Sequence, residues 1–478
     1  MVFKGRASRA CENCNVMNNA PNVRGVKSLS PKTDPKIPNL SHGGPDLWAG
    51  KESHVLFSGL GRALVPSKED LTLCFFYQTT METLVGSYRS QYLHRQLPIL
   101  FSQSEPGSAL KLASQAISYV VWARAWPDDI NAAQVAMKYY SQSLSALNAA
   151  IRDRIKAKSD ETLYAILLLS GYETMIFSSG TPAAWGTHVD GATALLKHRG
   201  SENFRTPFSC NMFLFIRRNA IQSHLQTSTP VDPIFDGFAE ILSPYEYIED
   251  RLISKSIRIP ELLTRANSIL SQTSCAIDVS KASELIRAAE NLDRELANWA
   301  EQIPVNWVYT SLRCSRDPRP SSSTFVPDQI HRYPDFYTAR VWNLYRVYRL
   351  ITQSILSRVS SCVHLDRIEE YQDRIDSINR AMVADVCASV PFLLGYDCSE
   401  LKRSPNHLQD RDSLWPQSSM EKLSSSGHSG KFSLIWPLYI ACSVPSDQEI
   451  QQKWMRAQLR WIAETGEAQA QLVQNTSF

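Results

Sequence analysis

The chain has 478 residues, of which 43% are hydrophobic and 20% charged, with a formal net charge of +3. These values exclude a single small module and a chain that is disordered throughout. No uninterrupted apolar run approaches the roughly 18 residues a membrane span needs: AISYVVWARAW is broken by Arg124 and YAILLLSGYETMIF by Glu173.

The charge is concentrated at the front. Residues 1–36 carry Lys4, Arg6, Arg9, Arg24, Lys27, Lys32 and Lys36 against Glu12 and Asp34, a net +5 that leaves the remainder near −2. A basic leader on a near-neutral body reads either as an arm for an anion such as nucleic acid or as a solvated terminus. Within it, Cys11 and Cys14 stand two residues apart. Such a pair can bite one zinc ion, but a structural zinc site is tetrahedral and needs four ligands. The next cysteine is Cys74, beyond a Pro-, Ser- and Asn-rich stretch over 15–66 that reads as a linker. The opening MVFKGRASRA has no apolar stretch suited to a secretory leader. Cys74, Cys387 and Cys442 lie in apolar surroundings and read as small buried hydrophobes of a reducing compartment.

From about residue 68 the pattern is helical. LTLCFFYQTTMETLVGSYRSQYL (71–93) predicts one helix and SALKLASQAISYVVWARA (108–125) a second. Asp128 and Asp129 open a third, through about Ala157. Ser159 and Asp160 offer the N-cap of DETLYAILLLSGYETMIF, apolar on most sides and therefore central. In TPAAWGTHVDGATALLKHRG, Thr181 can cap and Pro182 suits the first helical position. Trp185, Val189, Ala192 and Leu196 form one stripe, Lys197, His198 and Arg199 suit the dipole's negative end, and Gly200 supplies the stop. Further helices are expected at about 206–226, 246–272, 279–302, 334–359, 364–395, 431–443 and 447–473. Long loops are expected at about 315–333 and 403–431. No strand alternation recurs, so the fold class is all-α.

Enzyme signatures are missing from the sequence: no G-x-S-x-G, G-x-G-x-x-G, Walker-type loop or H-E-x-x-H. Asp128–Asp129 follows Pro127 and reads as a helix N-terminus rather than as a metal site. His188 has no Cys or carboxylate at i+3 or i+4 and reads as a packed histidine bonded to a neighbouring helix. In ARVWNLYRVYRLITQSI, Val341, Leu344, Tyr345 and Tyr348 predict a core face, with Arg340, Arg346 and Arg349 snorkelling outward.

RASRACENC resembles the start of the DNA-binding domain of fungal binuclear zinc-cluster transcription factors, in which six cysteines hold two zinc ions. AAWGTHVDGATALLKHRG resembles the W-x-x-H-x-x-G-A-x-x-L-L-x-x-R-G signature of the fungal-specific regulatory domain. It is carried by Trp185, His188, Gly191, Ala192, Leu195, Leu196, Arg199 and Gly200. LDRELANWAEQIPVNWVY, DFYTARVWNLYRVYRLI and FSLIWPLYIACS are similar to later segments of that domain, in order.

The resemblance implies a nuclear, non-catalytic transcriptional regulator, with zinc as the cofactor of the intact family. Its partners would be DNA and regulatory proteins or the transcriptional machinery. A homodimer and control of a metabolic or secondary-metabolite gene cluster are further expectations. Only Cys11 and Cys14 match zinc ligands, and only Lys4, Arg6 and Arg9 match the basic lead-in; Asn15–Asn19 replace the Arg/Lys-rich continuation. The abrupt switch after Cys14 fits a skipped exon or a true loss. As written, the chain is expected to take up zinc poorly and to bind DNA weakly or not at all. The expected layout is a zinc-cluster remnant over 1–14, a disordered linker over 15–66 and a helical regulatory domain over 67–478. The alternatives are a helical interaction protein or co-regulator without DNA binding and, with less support, an all-α enzyme.

Overall fold

The computed structural model describes residues 66–83, 88–176, 182–272, 278–313, 325–363, 368–395, 426–445 and 448–464. The chain divides into two units, Met1–Lys68 and Glu69–Phe478. Only residues 66–68 of the first are described. The described residues of the second are almost wholly α-helical, as the periodicity requires.

A first group of helices comprises α1 (Lys68–Thr83), α2 (Tyr88–Gln103), α3 (Ala109–Ala125), α4 (Ile130–Arg152), α5 (Asp160–Ile176), α6 (Pro182–Arg199) and α7 (Pro207–Thr227). Their starts follow side-chain chemistry. Ser108 accepts the Lys111 N–H at 3.3 Å, and Ser159 accepts the Thr162 N–H at 3.1 Å. Thr206 and Ser209 each accept the other's backbone N–H, at 3.1 and 3.2 Å. Each bond satisfies a first-turn donor that has no partner within the helix. Alpha-5 is apolar on most sides because α3, α4, α6 and α7 all pack against it; Leu163, Ala165 and Leu169 are fully buried. Gly200, at φ 73°, ends α6 in a region disfavoured for residues with a Cβ.

A one-turn helix α8 (Ala239–Leu242) precedes the second group: α9 (Ile248–Ser256), α10 (Ile259–Leu270), α11 (Val279–Glu301), α12 (Phe336–Ser360), α13 (Ile368–Leu393), α14 (Ser426–Ser443) and α15 (Glu449–Glu464). Asp278 caps α11 and Asp335 caps α12, the latter accepting the Thr338 N–H at 2.7 Å. Alpha-12 is the axis of this group, contacting α9, α10, α11, α13 and α14. Val341, Ile355 and Val359 along it have no exposed surface. Alpha-7 links the groups through contacts with α9 and α10. One hydrophobic core runs from Phe76 to Ala463.

Several expectations are corrected. Of the helix predicted over 71–93, α1 is described to Thr83 and α2 from Tyr88, residues 84–87 lie outside the described residues, and α2 continues through Pro98 to Gln103. The third helix stops at Arg152, and a single 3-10 turn covers Lys156–Lys158. The 246–272 segment is α9 and α10, meeting at Ile257 and Arg258. Part of the expected 315–333 loop is a strand: β2 (Gln329–Arg332) pairs antiparallel with β1 (Thr310–Arg313), Thr310 opposite Arg332. Four-residue strands are too short for alternation to register. The final loop ends sooner than expected, since α14 begins at Ser426. The last helix is described to Glu464, and its expected extension to 473 lies outside the described residues. Cys74 is exposed, not buried; Cys387 is buried and Cys442 half-buried. Burial pushes both of the latter thiols up to about 12.

Candidate functional site

The helices of the two groups line a partly open cavity of about 2480 Å³. Ligand pockets are commonly ~300–1,000 Å³, so this space exceeds what one small molecule fills. The first group contributes apolar walls from Phe76, Leu93, Ile117, Val121, Leu167 and Leu168. The second adds Leu344, Val347, Ile351, Trp436 and Ile440. Polar side chains are interspersed with these walls, among them Asp328, Arg358, Asp376, Arg380 and Asp385 beside His94, Arg218, His331 and Arg340.

His94 and Tyr164 line the first-group wall. The His94 Nδ1 and the Tyr164 hydroxyl are buried with no hydrogen-bond partner among the described residues. Burial holds the imidazole down, at about 4, and raises the phenol, so both are neutral at physiological pH.

Arg218 on α7 and Arg340 on α12 converge on Glu249 of α9. Arg340 donates to Glu249 Oε1 at 2.8 Å, Arg218 approaches the same oxygen at 3.4 Å, and Tyr337 donates its hydroxyl to Oε2 at 2.9 Å. Burial would push the Glu249 carboxyl up, but Arg340 and Arg218 hold it at about 2. Behind it, Arg89 reaches Asp250 and donates to Asn211 at 2.5 Å, while Arg217 donates to Glu246 at 2.8 Å.

A second cluster joins β2, α12 and α13. Arg346 has no exposed surface. It donates to the Tyr333 hydroxyl and Asn343 Oδ1, each at 2.7 Å, and to His331 Nδ1 at 3.2 Å. Its guanidinium lies 5.2 Å from the Tyr309 ring centre and 5.9 Å from that of Trp342. Asp385 sits 3.6 Å away. Burial, and then Arg346, hold His331 down at about 3, so it is a neutral acceptor. These arginines therefore do not snorkel. Arg340 and Arg346 are internal, and Arg349 forms a two-pronged bond to Asp293 at 2.8 and 2.9 Å. The sequence signal missed is that carboxylates and tyrosines far along the chain supply their partners.

The signature segment forms α6. Its Ala192, Leu195 and Leu196 are buried. The side chain of Trp185 lies outside the described residues. His188 Nε2 meets Glu173 Oε1 on α5 at 2.6 Å, so the carboxylate absent at i+3 and i+4 comes from the neighbouring helix. Tyr140 also donates to Glu173. Arg199, 2% exposed, donates to Ser159 O at 2.8 Å and Asp160 Oδ1 at 2.6 Å, fastening the end of α6 to the start of α5. It does more than complement a helix dipole. Gly191 faces outward, with nothing within 4 Å of an added Cβ.

Asp129 precedes α4 without capping it and instead accepts the Trp122 indole N–H at 3.0 Å. Lys4, Arg6, Arg9, Cys11 and Cys14 lie outside the described residues. Among the described residues no three His, Cys, Asp or Glu side chains are grouped to hold a metal, and no helix is long and apolar enough to cross a membrane. Two thiols alone do not make the tetrahedral zinc set.

Residues 73–231, from α1 to just past α7, match the model of the fungal specific transcription factor domain. The chain is also similar to the transcription factor dbaG of Emericella nidulans (strain FGSC A4), 23% identical over 330 residues that cover 68% of this chain and 71% of that protein. No solved structure matches the chain.

Proposed function

We propose that the chain is a fungal transcriptional regulator, non-catalytic and nuclear, whose helical body over 67–478 is the regulatory domain. The match of residues 73–231 to the fungal specific transcription factor domain carries this reading. The similarity to a protein named as a transcription factor supports it. The zinc-cluster remnant, with Cys11 and Cys14 as nominal ligands and Lys4, Arg6 and Arg9 as phosphate contacts, belongs to the proposal, as do a homodimer and a metabolic gene-cluster target. No zinc-dependent step is derived, because the two thiols fill half of a tetrahedral set. The sequence after Cys14 favours a second reading, a helical co-regulator that reaches promoters through a DNA-binding partner.

The test tethers the full chain, by a heterologous DNA-binding domain, upstream of a reporter in a filamentous fungus. The expected outcome is reporter output that rises or falls several-fold against the tether alone. An unchanged reporter, with the fusion present at the promoter, overturns the regulatory reading. If output changes, promoter occupancy by the untethered chain in cells and by the purified chain on DNA separates the two readings.

A further inference from the structure

Arg218 and Arg340 combine two properties that seldom coincide. They share the buried Glu249, whose side chain is 6% accessible, yet their own side chains keep 23% and 22% of their surface accessible. Both line the cavity. The accessible surface therefore includes cavity lining rather than only the outer face of a helix. Around them, Arg89, Arg217, Arg218 and Arg340 face Glu246, Glu249 and Asp250. Even with all three carboxylates ionised, the cluster keeps one positive charge.

The excess is best placed on Arg218. Arg340 holds Glu249 at 2.8 Å, whereas Arg218 meets the same oxygen only at 3.4 Å and lies over the Phe215 ring at 5.4 Å. A guanidinium carries five N–H donors in a planar fork that suits a carboxylate. Burial lowers the pKa of Arg218 despite Glu249 nearby, the direction expected of a buried cation with incomplete compensation. The cavity beside it is walled by Leu344, one turn from Arg340, and by Val347 and Ile351.

We propose that this cavity binds an amphipathic monocarboxylate, its carboxylate on Arg218 and Arg340 and its apolar body along α12. One negative charge neutralises the cluster, whereas a phosphate dianion would leave a buried excess of the opposite sign. The site stands on the cavity's chemistry, whether or not the chain regulates transcription.

The test titrates the full chain with dodecanoate and with methyl dodecanoate, below the concentration at which either aggregates, by calorimetry. A hydrogen-bonded charge pair contributes about 1.5–3 kcal/mol, so the acid is expected to bind roughly ten- to a hundredfold more tightly than the ester. Arg218→Gln is expected to remove that difference, and Arg218→Lys to retain part of it. Leu344→Glu, which introduces a competing carboxylate, is expected to weaken the acid and spare the ester; it provides the comparison if Arg218→Gln does not fold. No binding of dodecanoate, equal affinity for acid and ester, an acid affinity untouched by Arg218→Gln, or tighter binding of dodecyl phosphate overturns the proposal. Because no DNA or reporter is involved, failure here is distinguishable from failure of the regulatory reading.

Discussion

Arg346 shows how much one buried side chain can organise. It ties Tyr333 beside β2 to Asn343 on its own helix, while Asn343 donates to Ser389 on α13 at 2.9 Å. Removing Arg346 takes a donor from the buried Tyr333 hydroxyl and Asn343 Oδ1, while Asp385, 31% exposed, keeps its access to water. Arg346→Ala is expected to destabilise the fold by on the order of 3–5 kcal/mol. Arg346→Lys keeps the charge but loses the planar fork, so it is expected to recover only part of the loss. Urea unfolding followed by circular dichroism measures both.

The buried histidines make a second prediction at this scale. His94 and His331 are held at about 4 and about 3, against an ordinary value of 6.5. Below pH 6.5 the unfolded chain takes up protons that the folded chain refuses. The neutral-histidine contribution is therefore full above pH 6.5 and falls as pH drops toward 4, by at most about 2.7 kcal/mol per pH unit for two groups. Replacing both residues with Gln is expected to flatten the decline between pH 6.5 and 5, read from denaturant midpoints. An equally steep decline would show that other groups set the acid limit. Whether residues are internal was partly legible in advance: the stripe of Val189, Ala192 and Leu196 is buried as its spacing requires. The identities of the partners of Arg340, Arg346 and His188 were not, because Glu249, His331 and Glu173 lie on other elements and approach only once those elements pack.

Between elements, two glycines predict opposite outcomes. Gly430 on α14 lies so close to α13 that an added Cβ would run into the Leu393 carbonyl oxygen. Gly430→Ala must force the helices apart and is expected to cost about 1–3 kcal/mol or more. Gly191 meets nothing, so Gly191→Ala is expected to stabilise α6 by about 0.5–1 kcal/mol. Paired thermal melts test the contrast. Helix starts were legible wherever a cap was local, as at Ser108 and Ser159. The break between α9 and α10 was not, because Pro260 sits where a new helix tolerates it and the apolar periodicity runs on. The paired strands escaped notice because their partners are separated by residues 314–328 and each spans only four residues.

At the scale of the molecule, the all-α class follows from periodicity sustained over some four hundred residues, a signal that no single misplaced boundary disturbs. The cavity has no such signature. Its apolar lining is drawn from α1, α2, α3, α5, α7, α10, α12, α13 and α14, with polar residues added by β2 and α15, and each of those nine helices spends ordinary apolar residues on it. A leucine facing a void and a leucine facing another leucine look the same in one dimension. The pairing of Arg218 with Arg340 on the cavity wall was hidden for a related reason: they stand 122 positions apart.

Trp436 belongs to both the core and the cavity wall, half-buried on α14 with Tyr439 edge-on at 5.8 Å. Indole emission shifts with the polarity of what surrounds it, so this ring is a built-in optical gauge of whether the space holds water or hydrocarbon. Subtracting the spectrum of a Trp436→Phe protein isolates its light from that of the other ten tryptophans. The interior can thus report its own filling without a dye.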